Sequence, residues 1–410
     1  MTAQVIALDA PPSGDPVTAE ERSADAAGER AFSAKLYGAL ASGRSGNLFV
    51  SPASARFALS MVLGGARGDT ERELAAVLGA TPKTHDVAAS LAGEWAALAM
   101  PSRSEDFYKS QSIVLRSANR LFAQRGKPFE PAYVTLTETR YGAPIEALDF
   151  ATDSEGARKT VNDWVAARTE QRIKDILPPP LPKGTRLILA NAIYFKAAWD
   201  HPFREGETRR EPFFTAKGAV DVPMMHATTR YRYGETSDAQ IVELPYGAMG
   251  RNDVTMVVVV PKAKDGLASM ERSLDASRVG TWLTRPSGST QIDLALPKIR
   301  IESSLSLGDV IAGLGAPSLF AAGKADLSGV DGTRELFVGL VLQKTFVEVD
   351  EKGTEAAAAT IVGLSAGAAR VDPPKPVVVR ADRPFLFFIR DAVRDRLLFM
   401  GRVADPRSTS

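Results

Sequence analysis

The stretch from Thr345 to Phe385 constrains the fold of this chain more than any other, because it is long, poor in charge and unlike an ordinary surface loop. It begins as a half-buried strand, since Phe346, Val347 and Val349 alternate with polar residues. Gly353 follows and is a hinge candidate, because glycine tolerates backbone conformations that other residues avoid. The sequence therefore predicts a strand that leads into a long segment of unusual composition.

The segment after Gly353 consists mainly of small residues. Read as a strand, it has two faces: Thr354, Ala356, Ala358, Thr360, Val362 and Leu364, and opposite them Glu355, Ala357, Ala359, Ile361 and Gly363. Its only charge lies on the second face, so the first can face a core with no bulky side chain near the hinge. A short helix or a linker fits the same residues, because alanine favours helices and is common in linkers. Local sequence leaves these alternatives open.

Composition excludes several classes of protein. The chain has 410 residues, of which 44% are hydrophobic and 24% charged, as in ordinary soluble domains. Its 50 basic and 49 acidic residues give no reason to expect a nucleic-acid partner. It has no cysteine, which rules out disulfides and thiolate metal sites. No apolar run reaches the roughly 18 residues of a membrane span, so we expect no membrane association.

The N-terminal region predicts neither a signal peptide nor a folded element. Residues 1–16 lack a basic region and an apolar core of sufficient length. We therefore expect a cytoplasmic protein, or a secreted one if a signal has been removed. Residues 1–27 are rich in proline, alanine and acidic residues, and we expect them to be disordered. One domain is expected over 28–406, with a short tail over 407–410.

Periodicity predicts helices mostly early in the chain and strands mostly late, which indicates one mixed α+β domain. Ser51 is placed to cap a helix that begins at Pro52, and Thr70 with Glu73 forms a capping-box pattern. Helices are predicted over 29–41, 52–65, 70–78, 131–141, 161–177, 267–283 and 306–314. Strands are predicted over 47–50, 112–124, 144–150, 186–195, 240–246, 255–260, 292–302, 345–350, 385–389 and 396–403.

Three motifs suggest chemistry that their context does not support. Gly363–Gly367 spells a GxSxG nucleophile elbow, but prolines follow it and no histidine lies downstream. His85, His201 and His226 lack metal-ligand spacing. Arg67–Asp69 spells an adhesion tripeptide between two predicted helices, where a structural connector is expected. We therefore predict that the chain is not an enzyme and holds no metal or cofactor.

Gly353–Thr360, following Asp350–Lys352, resembles the proximal hinge of the serpins, a family of metastable protease inhibitors. Further similar segments run in the family's order from Asn47 to Pro406. The resemblance implies a single α+β serpin domain with three β-sheets, about eight or nine helices and an exposed reactive-centre loop over about 351–376. It also implies a monomer. The implied hinge residues are Glu351, Gly353, Thr354, Glu355, Ala356, Ala357, Ala358, Ala359 and Thr360.

The resemblance implies a serine protease inhibitor that acts as a suicide substrate. A serine protease would cleave the loop through an acyl-enzyme, and the cleaved loop would insert into the central sheet and trap the protease. The alternative is a non-inhibitory carrier or chaperone whose loop is cleaved without insertion. Such proteins usually have bulky or charged residues where this chain has Ala356–Ala359.

The resemblance also assigns roles to residues outside the loop. Ser51, Ser54 and Asn191 resemble a polar shutter below the point where the sheet parts, and Trp199 resembles the tryptophan above it, at the breach. Gln343 stands where the family commonly has a shutter histidine. Glutamine can still donate and accept hydrogen bonds, so the network is expected to persist without a histidine's response to pH.

Two ways of counting place the scissile bond differently. Counting the family's usual span from Gly353 places it at Gly367-Ala368, whereas counting back from Arg383 to Phe385 places it at Arg370-Val371. We favour the first, because the second lengthens the tether by roughly 10 Å, at about 3.3 Å per residue. The first bond implies an elastase-like or subtilisin-like target and the second a trypsin-like one. A minor chymotrypsin-like possibility is Leu364-Ser365.

Overall fold

The computed structural model describes residues 13–98, 113–126, 128–169, 171–247, 253–354 and 375–408. In these ranges the chain forms ten α-helices, against eight or nine expected. Three of them were not predicted as separate helices: Thr84–Leu98, Ser328–Asp331 and the second of the two helices within residues 267–283. The helices are α1 Ala19–Ala41, α2 Pro52–Gly65, α3 Gly68–Leu78, α4 Thr84–Leu98, α5 Pro131–Tyr141, α6 Ser154–Arg168, α7 Leu267–Arg272, α8 Ala276–Thr284, α9 Gly308–Gly313 and α10 Ser328–Asp331.

Fifteen strands complete the described part of the fold. They are β1 Leu48–Val50, β2 Val114–Gln124, β3 Glu146–Leu148, β4 Leu187–Ala198, β5 Arg209–Thr215, β6 Gly218–Glu235, β7 Ala239–Pro245, β8 Val254–Pro261, β9 Gly288–Pro297, β10 Ile299–Ser306, β11 Leu340–Asp350, β12 Gly353–Thr354, β13 Val377–Arg380, β14 Phe385–Asp391 and β15 Arg396–Val403.

A six-stranded sheet in the order β10-β11-β12-β4-β2-β3 contains β11 and β12, the strands on either side of the predicted hinge turn. Its strand β4 is buried on both faces, as its continuous apolar sequence predicts. Ile193 and Phe195 pack toward the second sheet, whereas Ile188 and Ala192 pack in the cluster that includes Val161 and Val165 of α6. The alternation of side chains along one strand therefore serves two separate cores.

The second sheet has nine strands, in the order β1-β15-β14-β8-β7-β6-β9-β13, with β5 paired to β6. Strand β6 is 18 residues long and pairs with β5 through its first part and with β7 through its last part. The sheet thus has two parts that share β6, and with the six-stranded sheet they make the three sheets of the expected α+β fold.

The N-terminal helix begins ten residues earlier than predicted, so Ala19–Ala27 are helical and the expectation that they are disordered was wrong. Thr18 caps the helix through a capping box with Glu21. Asp25 and Glu29 are buried, because Arg396 forms ion pairs with both of them at 2.7 and 3.1 Å. The charges that suggested a solvated segment instead have buried partners that are distant in sequence.

The predicted capping box at Thr70 was also wrong. Helix α3 begins earlier, at Gly68, and its N-cap residue makes no side-chain cap hydrogen bond. The Thr70 hydroxyl accepts a hydrogen bond from the Asp326 amide at 3.0 Å. The Glu73 carboxylate accepts from the Ser318 hydroxyl at 2.6 Å. Both side chains therefore join α3 to a distant segment instead of capping their own helix.

Other differences concern boundaries. Helix α6 ends at Arg168 and not near residue 177, because the chain turns through a positive φ of 62° at Gln171. The single helix predicted over 267–283 is two helices, α7 and α8. The single strand predicted over 292–302 is β9 and β10, which belong to different sheets on either side of Lys298. Helix α4 and the hairpin β5–β6 were not predicted.

In the described ranges no helix is long and apolar enough to cross a membrane.

The buried cluster around Arg396 generates the first prediction. We expect Arg396→Met to lower the free energy of unfolding by about 3–5 kcal/mol, because it leaves two buried carboxylates without this partner. The matched control is Arg30→Met, since Arg30 pairs with Asp395, whose side chain is 56% exposed. Loss of that pair should change stability by about 1 kcal/mol or less. Thermal melting of both variants measures the difference, and equal effects would contradict the prediction.

Candidate functional site

The central feature of the six-stranded sheet is the place where β4 and β11 separate. These strands are parallel and pair from Leu340, opposite Ile188, up to Phe346, opposite Tyr194. Beyond that level β12 lies between them and is antiparallel to both. The gap between these two parallel strands thus holds Gly353 and Thr354, the first residues of the small-residue segment.

Two residues form β12, and each pairs on both sides. Gly353 lies opposite Asp350 of β11 and Ala198 of β4. Gly353 has a φ of 149°, and a Cβ atom there would lie 2.2 Å from the Ala197 carbonyl oxygen. A larger residue at this position would therefore collide with the β4 backbone.

The second residue, Thr354, is fully buried opposite Ala197 and Val349. Its hydroxyl lies 2.7 Å from the Tyr246 hydroxyl. The Tyr246 ring stacks on Trp199 with centroids 4.4 Å apart. Burial raises the pKa of Tyr246, so its hydroxyl stays protonated and can share a hydrogen bond. Thr354 is therefore held by a polar contact at the edge of an aromatic stack.

Trp199 joins this stack to the turn between β11 and β12. Its indole Nε1 donates to the Asp350 carbonyl at 3.0 Å, and its amide donates to the Lys352 carbonyl at 2.9 Å. The side chain is 1% exposed. The predicted breach tryptophan therefore lies at the top of β4, in direct contact with the residues that precede the loop.

Glu351 fixes the same turn from the outer side. Its carboxylate accepts from Lys298 Nζ at 2.7 Å and from the Thr208 hydroxyl at 2.7 Å. Burial acts to raise the pKa of Glu351, but the hydrogen bonds from Lys298 and Thr208 outweigh it and hold the pKa below the usual range. The turn thus carries an ion pair whose acidic member is largely buried.

A second polar cluster lies six residues before Val349 on β11 and six residues before Ala197 on β4. There Gln343 of β11 faces Asn191 of β4. Gln343 Nε2 donates to Asn191 Oδ1 at 2.7 Å and to the Ser51 carbonyl at 2.8 Å. Its Oε1 accepts from the Ser51 amide at 2.9 Å. Asn191 Nδ2 donates to the Ser54 hydroxyl at 2.5 Å. The structure therefore brings together the four residues predicted for the shutter.

These residues meet because α2 begins directly beneath the two strands. Ser51 caps that helix, as predicted, by accepting from the Ser54 amide at 3.3 Å. Its hydroxyl also donates to the Leu398 carbonyl at 2.7 Å, which ties the helix start to β15. Gln343 and Asn191 are almost completely buried, so any separation of β4 from β11 must break their mutual hydrogen bond in the protein interior.

Sequence reasoning missed several members of the site. Asn119 of β2 pairs in register with Asn191 and hydrogen-bonds to its amide, so the network spans three strands. Thr208, Lys298 and Tyr246 hold the turn and β12. An asparagine within an otherwise regular strand was a usable signal for Asn119. Nothing local indicated Thr208 or Lys298, because their partner lies far away in the sequence.

Part of the predicted site lies outside the described residues. This holds for the rest of the hinge, Glu355, Ala356, Ala357, Ala358, Ala359 and Thr360, and for the residues of the alternative scissile bonds, Gly367, Ala368, Arg370, Val371, Leu364 and Ser365. The GxSxG motif lies there as well. Their predicted roles therefore stay predictions. The described hinge residues are those of the turn and of β12.

The remaining motifs have structural surroundings. His85 Nδ1 lies 2.5 Å from the Tyr141 hydroxyl, and His226 lies 3.1 Å from Glu211. Within the described ranges no group of three or more side chains could hold a metal ion. Gly68, in the adhesion-like tripeptide, has a φ of 58° and begins α3. Arg67 Nη1 donates to the Ala66 carbonyl at 2.6 Å, as fits a helix connector.

The six-stranded sheet therefore has two parallel strands that part, with a segment of the same chain paired to both. The sequence matches the family described as Serpin (serine protease inhibitor) over residues 27–406. It is 35% identical over 387 residues to the leukocyte elastase inhibitor of Sus scrofa, covering 92% of this chain and 97% of that protein. It is 34% identical over 384 residues to antithrombin-III of Mus musculus, covering 92% and 80%.

The structure of Serpin48 from the insect Tenebrio molitor matches with a TM-score of 0.79 and 29% identity, covering 95% of this chain and 100% of that chain. This chain therefore belongs to the serpin family and has the serpin fold. The family description and the relatives' names are those of protease inhibitors rather than of catalysts.

The Gln343 network yields a second prediction. We expect Gln343→Leu to lower the free energy of unfolding by about 1–3 kcal/mol per buried polar group left unsatisfied, with the Ser51 amide the first of these. Gln291→Leu, on the partly exposed part of β9, is the control and should change stability by about 0.5 kcal/mol or less. Melting curves measure both, and an unchanged Gln343→Leu protein would contradict this account.

The Glu351–Lys298 pair yields a third prediction, which concerns pH. Because the folded pKa lies below the ordinary 4.5, the pair stabilises the fold fully above about pH 4.5 and loses its effect as the pH falls through the folded pKa. Lys298→Met should therefore lower the melting temperature at pH 7, and the difference from the unmodified protein should shrink toward pH 3. A difference that stays constant from pH 7 to pH 3 would refute this role.

Proposed function

We propose that this chain is an inhibitory serpin that traps a serine protease by inserting its cleaved reactive-centre loop between β4 and β11. The observation that carries the proposal is the position of β12. Gly353 and Thr354 already pair with both strands, in the direction that an inserted loop must follow. Insertion of the cleaved loop would extend this pairing downward.

The register of β12 supports the proposal, because it specifies which residues would meet. Thr354 faces Ala197 and Val349, so Thr360, six residues further along, would reach Asn191 and Gln343, six residues back on each strand. The register of β12 with β4 and its register with β11 would both place Thr360 at the level of the Asn191–Gln343 pair. Thr360 carries a hydroxyl, which can replace the hydrogen bond that these two amide side chains must give up.

The rest of the segment matches the same register. On the inward face Ala356 and Ala358 would enter the apolar region around Phe195 and Ile193 without adding bulk. Two residues after Thr360, Val362 would reach Leu189, a core residue. Burial of a valine side chain of this kind stabilises the inserted form by about 1.5–3 kcal/mol.

The outward face is complementary as well. Glu355 would lie at the level of Lys196, and Ile361 would lie beside Ala190, which packs in the cluster beneath α6. An inserted strand also gains hydrogen bonds along both edges, each worth about 1 kcal/mol net. Polar, apolar and charged positions of the sequence thus all agree with the register that two residues establish.

The chemistry belongs to the protease. Its serine hydroxyl attacks the carbonyl carbon of the residue before the scissile bond and forms an ester, while the new amine of the following residue leaves with a proton from the protease histidine. Insertion must outrun attack by water on that ester. Gly367-Ala368 is the bond we favour, with an elastase-like or subtilisin-like target. Arg370-Val371, with a trypsin-like target, is the alternative.

A fourth prediction tests trapping and the scissile bond together. The protein is incubated with elastase, subtilisin or trypsin, and a denaturant-resistant covalent complex is sought by electrophoresis. We expect the complex with elastase or subtilisin and a released peptide that begins at Ala368. A peptide that begins at Val371, with a complex formed by trypsin, would instead support the alternative bond.

A matched pair of variants tests insertion itself. Ala358→Arg places a charge on the inward face, so the loop should be cleaved at the normal rate while the covalent complex falls at least about tenfold. Glu355→Gln, on the outward face, should still form the complex. Cleavage should also raise the melting temperature of the unmodified protein but not of Ala358→Arg. If cleavage leaves the unmodified protein's melting temperature unchanged and no complex forms, the carrier or chaperone alternative is favoured.

A further inference from the structure

A cavity of about 430 Å³ lies away from the strand gap, where the end of α2, the start of α4, α5 and the α10 turn meet. This volume is in the range of small-molecule sites, about 300–1,000 Å³. The cavity is lined by side chains of both charges and by apolar surface. None of the residues that line it takes part in the strand gap or in either polar cluster described above.

Two side chains of opposite charge line the cavity without neutralising each other. Arg67 Nη1 is held by the carbonyls of Gly64 at 3.2 Å and Ala66 at 2.6 Å, which leaves other guanidinium N–H groups to donate. Glu130 also lines the cavity. Among the described residues neither side chain forms a salt bridge within 4 Å, although the Ser328 hydrogen bond and, to a smaller extent, the Arg67 charge contribute to lowering the pKa of the Asp326 carboxyl. The nearby carboxylate of Asp326 is engaged by Arg334 at 3.0 Å and by the Ser328 hydroxyl at 2.6 Å.

The other lining groups are apolar or have their polar atoms satisfied. The Tyr133 hydroxyl donates to the Met61 carbonyl at 2.9 Å, so the ring contributes apolar surface to the cavity. Leu136 adds an aliphatic side chain. Burial lowers the pKa of His85, which shares a hydrogen bond with the Tyr141 hydroxyl and stays neutral near pH 7. The cavity therefore offers one cation, one anion and an apolar wall.

We propose that this cavity binds a free α-amino acid with an apolar side chain. The carboxylate of the ligand pairs with Arg67, its ammonium group pairs with Glu130, and its side chain packs on Tyr133 and Leu136. A guanidinium group suits a carboxylate because it can donate two parallel hydrogen bonds. A zwitterion supplies both opposite charges in one small molecule, whereas a simple anion or cation leaves one lining charge unpaired.

Binding at this site also couples to the sheet, an extension that rests on the proposed function. Helix α5 is joined in the chain to β2 and β3, which pair on the β4 side of the gap, whereas α10 precedes β11 on the other side. The Glu130 amide donates to the Val330 carbonyl at 2.8 Å, so the start of α5 is already joined to the α10 turn, and parting of β4 from β11 would strain this contact. A ligand that bridges Glu130 at the start of α5 and Arg67 beside the α10 turn therefore slows insertion.

Isothermal titration calorimetry of the full chain tests the site without reference to protease inhibition. The probes are L-phenylalanine, phenylacetate, which lacks the ammonium group, and phenethylamine, which lacks the carboxylate. We expect saturable binding of L-phenylalanine and binding of each analogue at least about tenfold weaker, because a charged hydrogen-bonding group is lost. No saturable binding of L-phenylalanine, or equal binding of either analogue, would overturn the proposal.

Two variants assign the charges. Arg67→Gln should remove the advantage of L-phenylalanine over phenethylamine, and Glu130→Gln should remove its advantage over phenylacetate. Arg72→Gln and Glu138→Gln alter exposed charges on α3 and α5 outside the cavity and should bind L-phenylalanine like the unmodified protein. Thermal melting confirms that each variant is folded. Unchanged binding in both cavity variants would overturn the assignment.

The coupling has its own measurement. Saturating L-phenylalanine should slow the gain in thermal stability that follows cleavage of the loop, and it should not do so in Arg67→Gln. Binding with an unchanged rate would overturn the coupling and leave the site standing. If cleavage produces no such gain at all, the proposed function fails, while the calorimetric result is unaffected.

Discussion

The hydrogen bond between Gln343 and Asn191 is the interaction on which the behaviour of the central sheet depends. It joins the two parallel strands at the level where the start of α2 lies beneath them, and its partners are almost fully buried. The strands stay paired below it and for three residues above it, up to Phe346, and they separate beyond that level. Since buried amides are costly to leave unpaired, this bond stabilises the paired arrangement of β4 and β11.

The two polar clusters of the site lie at different levels of β4 and stabilise different features. The upper cluster, around Trp199 and Glu351, fixes the turn from which the loop departs. The lower cluster resists opening. The segment between them is lined by apolar residues such as Phe195 and Val347, which can face either a neighbouring strand or small incoming side chains. Under the proposed insertion, the alanines that follow Thr354 in the sequence would add little volume to this region.

Much of the fold could be predicted because its elements have local signals. The bounds of α5 agree with the prediction, and α2 begins and ends where its cap and glycine pair indicate. The predictions were wrong where side chains serve distant partners. Asp25 pairs with Arg396, 371 residues away, and the Thr70 hydroxyl accepts from the backbone amide of Asp326, 256 residues away. No local pattern contains that information, so a solvated segment and a helix cap were the natural but incorrect interpretations.

The two residues of β12 also bear on how fast a strand can be added to this sheet. The first step of strand or helix growth is usually the slowest, because several backbone torsions are fixed before hydrogen bonds repay the lost entropy. In this chain that nucleus already exists: Gly353 and Thr354 are aligned, buried and paired on both edges. A strand extended from these two residues would start in a fixed register. Each later residue would then add its backbone hydrogen bonds without a search among alternative registers.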